Sequence, residues 1–267
     1  MDLEAALETA GVIIRQAGAQ ALRSYGQRHH EVSKSSVFDI ATEADSEVEA
    51  YLVAALGEAF PEHHVVGEEG GHAGAPASAD FHWYIDPIDG TSNYAASLPF
   101  FSVSMALCDR ELRPLLGLVL NPVTGELFGA RRGGGATLNG APVQVSPTAS
   151  LQNAILSCGY SRHPVHGAAR NAPILRLLPR TRGLRWLGSS ALELAWVACG
   201  RLDGYFEAGL SPWDFLGGLL LLREAGGRAS DYSGCEEGLT GAELLASNGH
   251  LHQALLQELR PDPADLP

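Results

Sequence analysis

Acidic side chains stand beside glycine, proline or tryptophan at three places in the sequence, where a turn can present a carboxylate. They are Glu68 and Glu69 after Gly67, Asp86 and Asp89 within Ile85-Asp86-Pro87-Ile88-Asp89-Gly90-Thr91, and Asp214 after Trp213. Apolar residues precede the first two groups and indicate buried strands. The end of a strand that enters a glycine-bearing loop is a common place for catalytic residues.

The pair Asp86 and Asp89 is three residues apart, with Pro87 fixing φ between them. Such a turn can aim both carboxylates at one point, where they repel each other unless a proton or a cation intervenes. Carboxylate oxygens suit Mg²⁺, Mn²⁺ or Ca²⁺ better than zinc. The pair therefore favours a site for a hard divalent cation.

The next residues, Gly90-Thr91-Ser92-Asn93, predict an anion site. Glycine allows close approach of the backbone, and a helix that begins here directs several N–H groups the same way. Bound cations beside an anion site are what phosphate chemistry requires, since metals neutralise phosphate oxygens and activate water.

Each of these features has a plainer interpretation when it is taken alone. Asp-Pro and Asp-Gly are ordinary turn dipeptides. Ser211-x-x-Asp214 fits a capping box with Pro212 at the first helical position, so Asp214 alone is expected to be a helix cap. Glu68 and Glu69 alone predict a solvated pair. The metal site is inferred from the set, not from any member.

Composition limits the class of protein. The chain has 267 residues, of which 45% are apolar and 18% charged, so it can bury a large core without disulfides. Its formal charge of −13 argues against a protein that binds nucleic acid through its overall surface charge, because such proteins are basic. No apolar run reaches the ~18–20 residues that a bilayer crossing needs. The acidic N-terminus and the four scattered cysteines predict a reduced, cytoplasmic protein with no membrane contact.

Hydrophobic spacing predicts helices and mostly antiparallel strands in separate layers, an α+β class. The helices are expected at 2–25, from Thr42 to Gly57, at 190–199 with a capping box Ser190-x-x-Glu193, at 211–225 and at 251–259. A short strand is expected at 83–85, a loop at 70–79 and an antiparallel meander at 100–145. We expect one domain, 1–267, with lobes of about 1–145 and 146–267.

The sequences of four segments resemble those of the inositol monophosphatase family, and the resemblance extends over about residues 5 to 250. The segments are Trp83-x-Ile85-Asp86-Pro87-Ile88-Asp89-Gly90-Thr91-x-Asn93-Tyr94, Trp213-Asp214-x-x-Gly217-Gly218 with Glu224-Ala225-Gly226-Gly227, Gly67-Glu68-Glu69, and Lys34…Asp39…Thr42…Asp45. The resemblance implies a layered α/β/α/β/α sandwich, as in fructose-1,6-bisphosphatase. It also implies a homodimer and lithium-sensitive, Mg²⁺-dependent hydrolysis of phosphomonoesters.

The resemblance also implies roles for individual residues. Glu68, Asp86 and the carbonyl of Ile88 match the ligands of a first Mg²⁺, and Asp86, Asp89 and Asp214 match those of a second, with a third, weaker ion near Glu68 and Mn²⁺ as a substitute. Thr91, bonded to Asp45, matches the residue that activates water together with Glu68. The N–H groups of Gly90 and Thr91 match the phosphate contacts. Gly188, Ser189, Ser190 and Glu207 match contacts to the alcohol, and Lys34 matches a loop lysine near the third metal.

The substrate stays open among relatives of this family. The motif Asp-Gly-Thr-Ser-Asn-Tyr favours an enzyme that acts on inositol 1-phosphate or a similar polyol monophosphate over three alternative enzymes. Those are 3′-phosphoadenosine 5′-phosphate nucleotidase, fructose-1,6-bisphosphatase and histidinol-phosphatase. A different class, a regulatory protein that contacts transcription complexes or nucleic acid through the arginines of 170–185, is a less favoured alternative. Leu216 and Ala96 depart from the family pattern and leave the shape of the pocket rim open.

Overall fold

A computed structural model of the protein describes residues 1–27, 32–33, 40–160 and 167–260. Its helices are α1 (Leu3–Ser24), α2 (Glu43–Ala59), α3 (Thr91–Ala95), α4 (Gly167–Leu177), α5 (Ser190–Ala198), α6 (Pro212–Glu224) and α7 (His252–Leu259). Two short 3₁₀ turns cover Leu151–Asn153 and Leu178–Arg180. None of the helices in these ranges is both long and apolar enough to span a membrane.

In the first helix, the residues with hydrophobic spacing form the buried face. Ala10, Ile14, Ala17 and Ala21 recur every three or four residues, and all are fully buried. Asp2 caps the helix by accepting hydrogen bonds from two backbone N–H groups of the first turn. The five predicted helices therefore begin and end near their predicted bounds, although α2 continues two residues beyond Gly57. Helix α4 was not predicted.

An eight-stranded sheet carries the N-terminal part of the chain, in the order β10-β9-β8-β7-β6-β5-β3-β4. Its strands are β3 (His64–Gly67), β4 (His72–Gly74), β5 (Phe81–Asp89), β6 (Ser102–Asp109), β7 (Pro114–Asn121), β8 (Glu126–Arg131), β9 (Ala136–Leu138) and β10 (Ala141–Val143), preceded by a separate pair, β1 (Val32–Ser33) and β2 (Ile40–Ala41). From β5 to β10 every neighbour is antiparallel, which confirms the predicted meander. Among the described strands of this sheet only the β3–β5 pair is parallel, and β4 occupies part of the predicted loop at 70–79.

A second sheet of five strands carries the C-terminal part, in the order β12-β11-β13-β15-β14. Its strands are β11 (Ile155–Cys158), β12 (Gly183–Arg185), β13 (Gly204–Glu207), β14 (Arg228–Ser230) and β15 (Leu244–Ser247). Strand β11 runs parallel to both of its neighbours, whereas the sequence predicted mostly antiparallel pairing. The predicted division into two lobes near residue 145 stays a prediction.

The helices lie in three layers around the two sheets. Helices α1 and α2 cover one face of the large sheet, and α5 and α6 lie between the large and the small sheet. Helices α4 and α7 pack on the outer face of the small sheet. This order confirms the α/β/α/β/α sandwich.

Helix α6 lies unusually close to the large sheet. A Cβ added at Gly117 on β7 would stand 2.4 Å from the carbonyl oxygen of Gly217, so the two glycines let the backbones touch. The neighbouring Leu216 is 1% exposed and packs into the core between the sheets. The departure at position 216 is thus accommodated by the core.

Candidate active site

The segment that carries Asp86 and Asp89 is the distorted end of a strand, not a turn after it. Strand β5 continues through Asp89, and its pairing with β6 shifts between Asp86 opposite Ser104 and Asp89 opposite Ser102. Three steps along β5 thus match two steps along β6, which is a β-bulge. On a regular strand two residues three apart face opposite sides, and the extra residue brings them to one side. The expectation that the strand ends at 85 is wrong for this reason.

Four carboxylates from three elements converge beside this bulge. Gly67, the last residue of β3, lies opposite Ile85, so Glu68 comes next to Asp86 and the two side chains hydrogen-bond. Asp86 is 2% exposed. Burial, and after it the charges of Glu68, Asp89 and Asp214, raise the pKa of Asp86 well above its ordinary value. The four like charges therefore lie close together, with Asp86 and Asp89 buried and Glu68 and Asp214 half-buried.

Asp89 is held by the beginning of helix α5. Its carboxylate accepts the hydroxyls of Ser102, at 3.0 Å, and Ser189, at 2.5 Å. It also accepts the backbone N–H groups of Ser190, at 3.1 Å, and Ala191, at 2.9 Å. Burial raises the pKa of Asp89 to about 6, while these four hydrogen bonds oppose the rise. Asp89 thus joins the large sheet to the helix that follows the small sheet's edge strand β12.

The capping residues of two other helices reach the same cluster of carboxylates. Asp214 accepts the backbone N–H of Ser211 at 2.7 Å, which confirms the predicted capping box of α6. Burial and then the charge of Asp89 raise the pKa of Asp214 well above its ordinary value. At the start of α2, the hydroxyl and the N–H of Thr42 both donate to Asp45, at 2.6 and 2.8 Å. Both acids are therefore structural caps that also face the site.

Thr91 lies where the capped end of α2 meets the bulge. Its hydroxyl oxygen is 3.1 Å from both Asp45 Oδ1 and the carbonyl oxygen of Ile88. Gly90, which precedes the short helix α3, has a φ of 99°, in the left-handed region that favours glycine. A Cβ there would stand 2.8 Å from the carbonyl oxygen of Gly188, so the two loops touch.

The positions matched to the alcohol part lie together on the other side of Asp89. Gly188 and Ser189 lead into α5, whose first residue is Ser190. The Ser190 hydroxyl donates to Glu207 on β13 at 3.2 Å. The charge of Glu207 contributes to the raised pKa of Asp214, which shows that it lies near the carboxylates. Lys34 lies outside the described residues.

Three further residues that are not among the predicted site residues hold these loops. Asn93 donates through Nδ2 to the carbonyls of Phe100, at 2.6 Å, and Leu187, at 2.7 Å. Tyr205 donates its hydroxyl to Glu207. Glu193 was predicted as the partner of Ser190 in a capping box. It instead accepts the N–H of Leu187, at 3.4 Å, because the N-cap of α5 is Ser189. Asn93 belongs to the segment from Trp83 to Tyr94 that carries the family resemblance, so the sequence contained a signal for it. Nothing in the sequence around Tyr205 distinguishes it from an ordinary strand residue.

The donor set fits a hard divalent cation. The converging atoms are carboxylate oxygens, and buried like charges are costly until protons or cations neutralise them. Within the described ranges, no three His, Cys, Asp or Glu side chains are arranged as a bound ion requires. Glu68 and Asp86 are hydrogen-bonded to each other instead.

Comparison with known proteins identifies relatives over nearly the whole chain. The model of the inositol monophosphatase family matches residues 2–263. The chain is 40% identical over 263 residues to an inositol-1-monophosphatase from Synechocystis sp., covering 98% of this chain and 91% of that protein. It is 41% identical over 234 residues to the Nus factor SuhB of Pseudomonas aeruginosa, covering 86% of each. The structure of an inositol monophosphatase from Anabaena (Nostoc) sp. superimposes with a TM-score of 0.85 at 35% identity, covering 98% of both chains.

Proposed function

The chain belongs to the inositol monophosphatase family, and on that premise we propose that it is a Mg²⁺-dependent phosphomonoesterase that hydrolyses inositol 1-phosphate or a similar polyol monophosphate. The observation that carries this proposal is the group of four clustered carboxylates, two of them buried, beside a glycine-bearing loop. Such a group is costly to the fold, and it is the arrangement that metal-dependent phosphate chemistry needs.

We assign the metal ligands by position in the family pattern. Glu68, Asp86 and the carbonyl of Ile88 would hold a first ion, and Asp86, Asp89 and Asp214 a second, with a third, weaker ion near Glu68. Mn²⁺ is the expected substitute, because it accepts the same oxygen ligands. When bound, the ions neutralise charge on phosphate and lower the pKa of water.

The protein's own groups orient the attacking water. The Thr91 hydroxyl is fixed between Asp45 and the carbonyl of Ile88, so its lone pair can accept a proton of a water molecule. Glu68, whose side chain hydrogen-bonds to Asp86 beside this position, takes the other proton of that water. The water oxygen attacks phosphorus as the P–O bond to the alcohol breaks. The alcohol leaves as an alkoxide that takes up a proton from solvent, and no side chain becomes phosphorylated.

Two loops hold the two halves of the substrate. The N–H groups of Gly90 and Thr91 bind phosphate oxygens at the start of α3, where the backbone conformation requires glycine. Gly188, Ser189, Ser190 and Glu207 contact the hydroxyls of the alcohol. The hydrogen bonds of Asn93 keep the second loop against the first.

Phosphate release from a panel of monoesters tests the proposal. We expect the highest kcat/KM for inositol 1-phosphate, dependence on Mg²⁺ and inhibition by millimolar lithium. The panel includes 3′-phosphoadenosine 5′-phosphate, fructose 1,6-bisphosphate and histidinol phosphate, so a preference for one of them would redirect the substrate assignment. Asp86→Asn should abolish turnover while the fold survives, and wild-type turnover by this variant would refute the metal site.

A second function, contact with a transcription complex, is favoured by the relative named Nus factor SuhB. The arginines of 176–185 are partly occupied within the chain, since Arg180 pairs with Glu258 and Arg176 donates to the Glu258 carbonyl. Arg182 and Arg185 are exposed. Co-purification with RNA polymerase that is lost in Arg182→Glu/Arg185→Glu, with phosphatase activity retained, would support this function.

We further propose a cytoplasmic homodimer. The large apolar side chains of Tyr160, Leu175, Leu178 and Trp186 are exposed on one surface around a cavity of about 600 Å³. A second copy is the favoured partner because Arg185 lines this cavity in a chain with a net charge of −13, and opposite charges attract. Light scattering of Leu175→Glu should show a monomer where the wild type is a dimer.

A further inference from the structure

The carboxylate of Glu207 lies in a place that only a glycine at position 159 leaves open. A Cβ added at Gly159 would stand 1.8 Å from Cδ of Glu207, and 2.1 and 2.2 Å from its two oxygens. No φ in the left-handed region calls for glycine there, so the requirement is space and not backbone conformation.

The sheet fixes this close approach. Strands β11 and β13 are parallel, with Cys158 opposite Phe206, so Gly159 and Glu207 are the next residues along each strand. The N–H of Gly159 donates to the carbonyl of Phe206 at 3.0 Å and continues the pairing. The backbone at position 159 therefore cannot carry an added methyl group away from Glu207 without breaking this bond. The Glu207 side chain can instead rotate away from the methyl group.

Tyr205 fixes the same carboxylate from within its own strand. It stands two residues before Glu207, so both side chains are on one face of β13. Tyr205 is fully buried, and its hydroxyl donates to Glu207 Oε2, the oxygen that also accepts the Ser190 hydroxyl. Burial and then the charge of Glu207 raise the pKa of Tyr205 well above its ordinary value, so the phenol keeps the proton that it donates.

We infer that Gly159 and Tyr205 are positioning residues that set the selectivity for the alcohol part of the substrate, because together they hold the Glu207 carboxylate in one place. The inference rests on the proposed function, in which Glu207 contacts a substrate hydroxyl. Gly159 supplies the space, and Tyr205 supplies a buried donor that selects one rotamer. Neither residue touches the reacting phosphate.

Steady-state kinetics with two substrates tests this inference. Inositol 1-phosphate offers hydroxyls to Glu207, and phenyl phosphate offers none. In Gly159→Ala and Tyr205→Phe we expect KM for inositol 1-phosphate to rise about tenfold with kcat nearly constant, as for the loss of one well-placed hydrogen bond to a charged group. KM for phenyl phosphate should change less than about twofold, because its phosphate contacts are untouched.

Two controls separate positioning from general damage. Tyr51→Phe also removes a phenol hydroxyl, which donates to Gln16 between α1 and α2, and it should leave the KM for both substrates unchanged. In a Glu207→Ala background, Gly159→Ala and Tyr205→Phe should add no further loss, since residues that act through one group are not additive.

Each contrary result has a distinct meaning. Unchanged KM for inositol 1-phosphate in both variants overturns the inference, as does an equal rise for phenyl phosphate or a further loss in the Glu207→Ala background. If the wild type hydrolyses phenyl phosphate but the variants give any of these three contrary results, the proposed phosphatase function stands and the inference fails. If the wild type hydrolyses neither ester, the proposed function fails and the inference fails with it.

Discussion

Asp214 combines two roles that substitutions can separate. It caps helix α6 by accepting the Ser211 N–H at 2.7 Å, and its charge belongs to the group of clustered carboxylates. Asparagine keeps an acceptor oxygen for the cap but has no charge, whereas alanine has neither. The pair Asp214→Asn and Asp214→Ala therefore divides the stability of the helix end from the function of the carboxylate.

The expected magnitudes follow from these two roles. Loss of the cap in Asp214→Ala costs about 1 kcal/mol, the usual value for such a bond. In metal-free protein, removal of one of several crowded like charges stabilises the fold by about 1–2 kcal/mol. Asp214→Asn should therefore be more stable than the wild type in EDTA, and Asp214→Ala equal to the wild type or up to about 1 kcal/mol more stable. Both variants should lose at least about a hundredfold in kcat, as when a preorganised electrostatic group is removed from an active site.

Urea unfolding with EDTA or Mg²⁺ and phosphate release are the assays. Mg²⁺ should stabilise the wild type, because a ligand that binds only the folded state shifts the equilibrium, and it should stabilise the variants less. Asp2 is the matched control, since it caps α1 far from the site, and Asp2→Asn and Asp2→Ala should differ in stability alone. If Asp214→Asn is less stable than the wild type in EDTA, or if it keeps full activity, the reasoning is wrong.

Three further outcomes are expected. Thr91→Ala should lower kcat about a hundredfold, and Thr91→Ser, which keeps the hydroxyl, should restore most of it; equal loss in both would contradict the proposed role of the hydroxyl. Burial lowers the pKa of His252 from 6.5 to about 4, so the unfolded chain binds more protons between these values and the free energy of unfolding falls by up to about 3 kcal/mol as pH drops through them. In urea unfolding, His252→Gln should lack this loss of stability at low pH, and His250→Gln, at an exposed position, should keep it. If the free energy of unfolding depends on pH in the same way in the wild type and in His252→Gln, the assignment to His252 is wrong. Gly117→Ala should destabilise the fold by about 2 kcal/mol in the same assay, because the methyl group meets the carbonyl of Gly217 on α6, and wild-type stability would show that the two elements can separate.

The helices and the meander were predictable because their signals are local. Apolar spacing, caps and hairpin turns act within a few residues of the chain, and they located α1, α6 and the strands from β6 to β8 closely. The strands of the small sheet are three or four residues long and have little periodicity of their own. Their pairing is set by contacts between distant segments, so the parallel neighbours of β11 were not foreseen.

The candidate site was predictable in its residue types more than in its geometry. The motif placed Asp86 and Asp89 together, but the bulge that turns them to one side depends on the pairing with β6. Likewise Ser190-x-x-Glu193 has the spacing of a capping box, yet Asp89, 101 residues before Ser190, binds the start of α5 and leaves Glu193 to hold Leu187. A partner so far away in the sequence can replace a local one, and local spacing gives no signal of it.

The beginnings of three helices converge on the acidic group, which explains how the fold tolerates it. Asp45 caps α2, Asp214 caps α6, and Asp89 accepts two N–H groups at the start of α5. The positive end of a helix dipole and its unpaired N–H groups favour a carboxylate in its charged form. Burial raises the pKa of Asp89, and the hydroxyls of Ser189 and Ser102 together with these two N–H groups limit the rise to about 6. The same bonds that fix the carboxylates for a cation therefore also complete the helix ends, so a substitution in the site alters the stability of a helix as well as the chemistry.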